Sequence, residues 1–141
     1  MKSLHTFLFG TSVGDHSYAN LGVLVLRAGF GLSIALAHGL GKVPPPEMFV
    51  NALGGMGFPC PACFAWLAGL SEFLGGLCIA FGLLTRPAAS FLGFTMAVAA
   101  FVAHASDPFQ KKEMALLYLT ASFAILLLGG GRHALDKFFR R

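Results

Sequence analysis

The 141-residue chain is strongly apolar, since 56% of its residues are hydrophobic and only 11% are charged. An ordinary soluble domain carries about 25% charged residues, so the composition excludes that class and indicates an integral membrane protein in a lipid bilayer. The net charge is +4, but the basic residues lie at segment ends and not in runs interleaved with aromatics. This pattern excludes nucleic acid as a partner and is typical of membrane orientation signals.

Four long apolar stretches follow an N-terminal segment, and each is long enough to cross the hydrocarbon core. The N-terminal segment, residues 1–19, has an apolar patch at Leu4 and Phe7–Phe9 that is too broken for a cleavable signal core. It is predicted to be either an interfacial amphipathic anchor or a loose tail. The predicted spans cover about residues 20–40, 64–84, 87–105 and 113–131, with a tail at 132–141. We therefore predict an all-α fold: one membrane domain over residues 1–141, forming an up-down-up-down four-helix bundle.

The connection between the first two spans is unusually long. Pro44–Pro46 prevent the first helix from continuing, and Glu47–Leu53 could form a short interfacial helix before Gly54 and Gly55 break it. A loop of this length in a small protein is either a cap over the bundle or a functional element. The second and third spans are joined by a tight turn at Thr85 and Arg86.

The distribution of Lys and Arg predicts the orientation. Six basic residues share the side of both termini, namely Lys2, Arg86, Arg132, Lys137, Arg140 and Arg141. Three lie on the other side, namely Lys42, Lys111 and Lys112. Because cytoplasmic segments carry the excess of basic residues, we predict a multi-pass protein of the bacterial inner membrane with both termini in the cytoplasm. The long loop is then extracytoplasmic.

Arg27 and Glu72 are ionisable residues inside the first two apolar stretches. A charge near the bilayer centre costs roughly 2.5–3.5 kcal/mol on insertion scales, so it is usually paired or faces a cavity. We predict that these two residues pair with each other. Such a pair would either only fix the helix register or contribute to a polar cavity that binds a head group.

Further polar residues are predicted to face the same interior. In the first span, Arg27, Gly31, Ala35 and His38 form one stripe whose small residues allow close helix packing. His104 ends the third span, where it could also be a simple interfacial histidine, and Glu113 begins the fourth. The predicted polar interior therefore consists of Arg27, His38, Lys42, Glu72, His104 and Glu113.

Cys60-Pro61-Ala62-Cys63 is the most chemically distinctive local motif, and it lies just before the second span on the predicted oxidising side. Three interpretations remain open: a structural disulfide, a redox-active dithiol, or a soft-metal site that binds copper together with Met48 or Met56. A helix N-terminus stabilises a nearby thiolate, which favours Cys63 as the nucleophile. Cys78, within the second span, is predicted to be a small core residue.

Several short motifs together resemble the DoxX family from about Asn20 onward. They are Arg27 with His38-Gly39-x-x-Lys42, Gly57-Phe58-Pro59, Glu72 with Gly75-Gly76, Gly82–Ala89 (GLLTRPAA), Glu113-x-Ala-Leu-Leu-Tyr118 and the closing Gly130–Asp136 (GGRHALD). Ala134 departs from the Ser that is usual in the closing motif. The resemblance implies a four-helix bacterial inner-membrane protein, and it links the chain to thiosulfate:quinone oxidoreductase subunits and to membrane oxidoreductase complexes of thiol stress.

We therefore expect a membrane component of a redox system in which Cys60 and Cys63 carry electrons. The polar interior would accept a quinone head group or relay protons, and a soluble oxidoreductase or thiol protein would be the partner. The alternative is a non-enzymatic protein: a small-molecule or copper transporter, for which a homodimer would provide the path, or a scaffold for a soluble oxidoreductase. Whether the chain is itself an enzyme stays open at this point.

Overall fold

A computed structural model describes residues 2–139, and every regular element in that range is helical. The six helices are α1 (Lys2–Phe9), α2 (Ser17–Lys42), α3 (Glu47–Gly55), α4 (Pro61–Phe81), α5 (Thr85–Ala103) and α6 (Phe109–Leu128). A 3-10 turn at Leu135–Phe139 follows α6. Within the described range, β pairing is confined to one isolated bridge between Thr11 and Gly129. The predicted all-α class is confirmed.

Three helices, α2, α4 and α5, are long and apolar enough to cross a membrane. Helix α6 has 20 residues, but Lys111, Lys112 and Glu113 lie in its first two turns and make that end polar. A fourth crossing by α6 and the up-down-up-down arrangement therefore stay predictions.

The helix ends follow local sequence signals. The second predicted span was placed at about 64–84, whereas α4 begins at Pro61 and ends at Phe81. It ends there because Gly82 adopts a left-handed conformation with φ 73°, which stops helices and suits glycine. Thr85 and Arg86, predicted as the tight turn between the spans, instead begin α5, and Pro87 also lies in its first turn. Helix α3, Glu47–Gly55, includes the short helix predicted at Glu47–Leu53.

Small residues bring α2 and α4 into close contact. Gly31 lies directly against the backbone of Gly76 and Ala80, where a β-carbon on Gly31 would overlap both. Nearer the C-terminal end of α2, Gly39 lies against the backbone of Phe73 on α4. The two helices therefore run antiparallel with Gly31 level with Gly76, and the predicted small-residue face of α2 is confirmed.

The apolar core draws side chains from all four long helices. Ile34 of α2, Ile79 of α4, Leu92 and Met96 of α5, and Ile125 of α6 are almost fully buried and pack together. This core occupies the middle of the molecule. It separates a polar cavity at one end from a cluster of buried charges at the other.

Candidate functional site: a polar cavity beside an exposed disulfide

A cavity of about 190 Å³ lies at the end of the molecule where α2 and α5 end and α6 begins. Its walls are Ile34, His38, Lys42, Glu72, Met96, Ala99, His104, Lys111, Met114, Ala115 and Tyr118. Four of the eight site residues predicted from sequence thus come together here: His38, Lys42, Glu72 and His104. Lys111 and Tyr118 are additional polar residues of the wall that sequence reasoning did not assign to the site.

Lys42 and Glu72 form the ion pair of this cavity. Lys42 Nζ donates to both carboxylate oxygens of Glu72 at 2.7 Å. The Glu72 side chain is 3% exposed and that of Lys42 is 29% exposed, so the pair lies at the boundary between the interior and the cavity mouth. The ammonium group also lies 5.1 Å from the centre of the Phe49 ring, on α3. The charge of the buried Glu72 carboxylate is therefore balanced by Lys42, whose ammonium group is also in contact with Phe49 of α3.

The pairing predicted for Arg27 and Glu72 is wrong. Arg27 Nη1 donates to the carbonyl oxygens of Ile79 at 3.2 Å and Ala80 at 2.6 Å, and Nη2 donates to that of His133 at 2.6 Å. The physical reason is the register of α2 against α4, which places Arg27 beside Ala80. Ala80 lies eight residues after Glu72, about 12 Å along the helix axis. Arg27 is buried, as expected, but it belongs to the opposite end of the molecule from the cavity.

Glu113 also lies outside the cavity, which corrects its predicted place in the polar interior. It is exposed on α6, whereas the neighbouring Ala115 is buried and lines the cavity. Two residues along an α-helix correspond to about 200° of rotation, so a helix that turns Ala115 inward turns Glu113 outward.

His38 and Tyr118 form the aromatic wall of the cavity. Their ring centres are 5.6 Å apart in an edge-to-face arrangement, which is a favourable geometry for aromatic pairs. Tyr118 could have been found from the spacing of α6, since Ala115 and Tyr118 lie on one face of the predicted helix. The imidazole and the phenol bring groups capable of hydrogen bonding to the same part of the wall.

Three π-helical turns surround the cavity. They occur at Ala35–Gly39 in α2, Ser71–Gly75 in α4 and Ala99–Ala103 in α5. Each contributes a wall residue, namely His38, Glu72 and Ala99. Such turns are rare and frequently occur at functional sites, because the extra residue redirects the side chains that follow. The clustering of three of them at one cavity marks this end of the molecule as the candidate site.

The outer rim of the cavity holds a second charged group. His104 Nδ1 lies 2.8 Å from Asp107 Oδ2, and Lys111 Nζ lies 3.7 Å from Asp107 Oδ1. The hydrogen bond with His104 lowers the pKa of Asp107, and the charge of Lys111 adds to the effect. Asp107 is therefore an anion that orients both basic residues at the rim.

Replacing His104 by Leu is expected to raise the pKa of Asp107 back toward its ordinary value. The stabilisation from this group is present above the ordinary Asp pKa and is lost as the pH falls through the lowered pKa. Carboxyl ¹³C NMR of the detergent-solubilised protein over a pH titration measures the change. Lys111→Met is the comparison variant and should produce a smaller rise. An unchanged Asp107 pKa in the His104 variant would contradict the assigned cause.

Cys60 and Cys63 are joined in a disulfide, with their α-carbons 5.3 Å apart. Cys60 is the residue that precedes the first turn of α4, and both cysteines are exposed. In this oxidised form the two sulfurs are bonded to each other and offer no thiolates, so the copper alternative with Met48 or Met56 stays a prediction for the reduced pair. Residues 2–139 also contain no group of three or more His, Cys, Asp or Glu side chains placed to hold a metal ion. Cys78 is a partly buried free cysteine within α4.

The disulfide and the cavity lie at the same end of the molecule and are connected by α3. The backbone carbonyl of Lys42 lies against Gly69 of α4, six residues and about 9 Å along the axis from Cys63. On α3, Phe49 lies against the Lys42 ammonium and Gly54 lies against Pro61, the first residue of α4, which lies between the two cysteines in sequence. Helix α3 thus contacts both the cavity mouth and the disulfide-bearing end of α4.

Residues 22–105 match the family model described as DoxX. The chain belongs to the DoxX family. The matched DoxX segment contains the ion pair, the disulfide and three of the helices that line the cavity. No solved structure matches the chain.

Two curated relatives align with most of this DoxX protein. It is 31% identical over 119 residues to a Bacillus subtilis protein named "Putative oxidoreductase CatD", covering 84% of this chain and 87% of the relative. It is 35% identical over 132 residues to "Inner membrane protein YqjF" of Escherichia coli, covering 86% and 95% respectively. The chain is thus a DoxX-family membrane protein whose relatives are named as an oxidoreductase and as an inner membrane protein.

Proposed function

We propose that this protein is a membrane component of a thiol/quinone-linked redox system in the bacterial inner membrane. The observation that carries the proposal is the exposed Cys60–Cys63 disulfide at the same end of the molecule as a cavity that holds the Lys42–Glu72 ion pair. A disulfide at a helix start can exchange with an outside thiol, and a polar cavity within apolar helices can accept a polar head group. The name of the B. subtilis relative supports an oxidoreductase, and that of the E. coli relative supports the inner membrane.

In this proposal four helices cross the bilayer and both termini lie in the cytoplasm. Helices α2, α4 and α5 have the required length and hydropathy, and α6 shares the core with them through Ile125. The excess of Lys and Arg on the side of the termini supports the orientation. The disulfide then faces the oxidising side of the membrane, where such bonds persist.

The proposed cycle has two balanced steps. A thiol partner gives two electrons and two protons to the Cys60–Cys63 disulfide, so the partner gains a disulfide and both cysteines become thiols. The two thiols then give two electrons and two protons to a quinone, which becomes a quinol while the Cys60–Cys63 bond forms again. Cys63 is the proposed nucleophile because it lies in the first turn of α4, where the helix N-terminus favours a thiolate.

The cavity is the proposed site of the quinone head group. His38 and Tyr118 can hydrogen-bond a quinone carbonyl, and the Lys42–Glu72 pair can deliver or accept protons there. For the thiols to reach it, the head group must lie at the outer mouth beside Lys42, whose backbone carbonyl lies against Gly69 of α4. Helix α3 lies across this path, so the proposal requires Phe49 to move when the head group meets the disulfide.

Purified protein whose disulfide has been reduced is expected to reduce ubiquinone-1, with two thiols lost for each quinol formed. Quinone absorbance and thiol titration measure the two quantities in the same sample. Cys60→Ser and Cys63→Ser should each abolish the reaction, while Cys78→Ser, which removes the remaining cysteine, is the matched control and should retain it. Absence of quinone reduction by the wild-type protein would overturn the proposed redox role.

A further inference from the structure

A second concave surface adjoins the polar cavity. It is a groove of about 310 Å³ between α2 and α6, whose walls include Leu26, Gly29, Phe30, Ser33, Met114 and Tyr118. Apart from Ser33 and the hydroxyl of Tyr118, its walls are apolar. The groove lies on the outer surface of two helices that the proposal places in the bilayer, so it is open to lipid.

The groove and the cavity share two walls, Met114 and Tyr118. From this shared boundary the cavity follows α2 from Ile34 to Lys42, while the groove follows the same helix in the opposite direction, from Ser33 to Leu26. One continuous depression therefore runs along α2 with charged and aromatic groups at its outer half and apolar groups at its inner half. In the orientation proposed above, its outer end lies at the membrane surface and its inner end lies toward the bilayer centre.

We propose that this depression binds a quinone that carries an isoprenoid tail and enters sideways from the bilayer, with Tyr118 at the junction of head and tail. The proposal rests on the proposed function and names its substrate class. The polarity of the two halves matches a molecule with a polar ring and a long apolar chain, and the tail points toward the hydrocarbon core where it is most soluble. Binding of the tail is what would distinguish a membrane quinone from a water-soluble one.

Gly29 is the position at which the groove can be filled without disturbing the fold. A β-carbon on Gly29 would meet no atom within 4 Å, so a leucine side chain there projects into the groove. Gly22 is the matched control, since it also has open space around it and lies two helical turns earlier on the same face of α2. It does not line the groove. Gly29→Leu and Gly22→Leu thus make the same change, inside and outside the proposed tail site.

The experiment compares two quinones in nanodisc-embedded, pre-reduced protein. Ubiquinone-0 has the head group alone, and ubiquinone-2 has two isoprene units. Gly29→Leu is expected to raise KM for ubiquinone-2 by about tenfold, the effect of losing part of an apolar contact, and to leave KM for ubiquinone-0 unchanged. Gly22→Leu should alter neither. An equal effect of Gly29→Leu on both quinones, or no effect on either, would overturn the tail site while leaving the redox function intact.

A binding readout decides the inference even where wild-type protein reduces neither quinone, which would contradict the proposed function. A photoreactive azido derivative of ubiquinone-2 is expected to label α2 and α6 peptides of the groove, and Gly29→Leu should abolish this labelling. Uniform labelling of all lipid-facing helices would overturn the proposal. Displacement of the label by excess phosphatidylglycerol would also overturn it, because the groove would then be a site for phospholipid chains.

Discussion

Replacing Asp136 by Asn is expected to destabilise the protein by about 2–4 kcal/mol, although residue 136 lies far from the cavity. The Asp136 carboxylate is 1% exposed. It accepts hydrogen bonds from the backbone N–H of Leu84 at 2.7 Å, the backbone N–H of Thr85 at 3.1 Å and the Thr85 hydroxyl at 2.6 Å. These donors belong to Leu84, the N-cap residue of α5, and to Thr85, its first residue, where a negative charge also complements the helix dipole. An asparagine removes the charge and places an N–H₂ group among donors.

The contacts around Gly82, between α4 and α5, show why the loss of stability should be large. Arg27 donates to the carbonyls at the end of α4 while Asp136 accepts from the start of α5, so a cation and an anion stabilise the two helix ends on either side of Gly82. The closing segment that carries Asp136 is thereby fixed against the bundle. Titration of the detergent-solubilised protein with sodium dodecyl sulfate measures the free energy of unfolding. Asp15→Asn, in an exposed turn, is the control. A free energy of unfolding within about 0.5 kcal/mol of wild type for Asp136→Asn would contradict this role.

Replacing Glu72 by Gln is expected to cost about 2–4 kcal/mol, because it leaves the Lys42 ammonium beside a neutral amide at the boundary of the interior. The partial exposure of Lys42 places the loss below that of a fully buried pair. A double-mutant cycle with Lys42→Met should show strong coupling, since removing both charges leaves neither unpaired.

A second double-mutant cycle distinguishes the observed pairing of Glu72 with Lys42 from the pairing with Arg27 that was predicted from sequence. Arg27→Met and Glu72→Gln should be additive within about 0.5 kcal/mol, because the two side chains have different partners and Arg27 lies beside Ala80, about 12 Å along α4 from Glu72. Unfolding free energies of the single and double variants supply both cycles. Coupling of Glu72 to Arg27 and none to Lys42 would restore the pair predicted from sequence and contradict the structure.

The helices could be predicted because their signals are local. Apolar runs of sufficient length predicted α2, α4 and α5, the prolines before Glu47 predicted the break that precedes α3, and the spacing of Gly31 and Ala35 predicted the face that packs. Each of these depends on a few neighbouring residues. Hydropathy alone also suggested burial of Arg27 and Glu72, which the structure confirms.

The partners of those charges could not be predicted, since they depend on the axial register between helices. Periodicity gives the face on which Arg27 lies but not the residue of α4 that lies level with it. The contact of Asp136 with Thr85 spans 51 positions of sequence, and nothing local to either residue indicates it. The π-helical turns were likewise invisible, because the apolar residues around Ser71 and Ala99 are equally compatible with a continuous α-helix.

The redox state of Cys60 and Cys63 in isolated membranes tests the central claim most directly. In a Cys78→Ser background, membranes supplied with a thiol donor and extracted to remove quinone should accumulate both cysteines as thiols, detected by alkylation and mass shift. Addition of ubiquinone-2 should restore the disulfide. A pair that stays oxidised throughout, or that stays reduced after quinone is returned, would contradict a thiol/quinone function and leave the disulfide as a structural link at the start of α4.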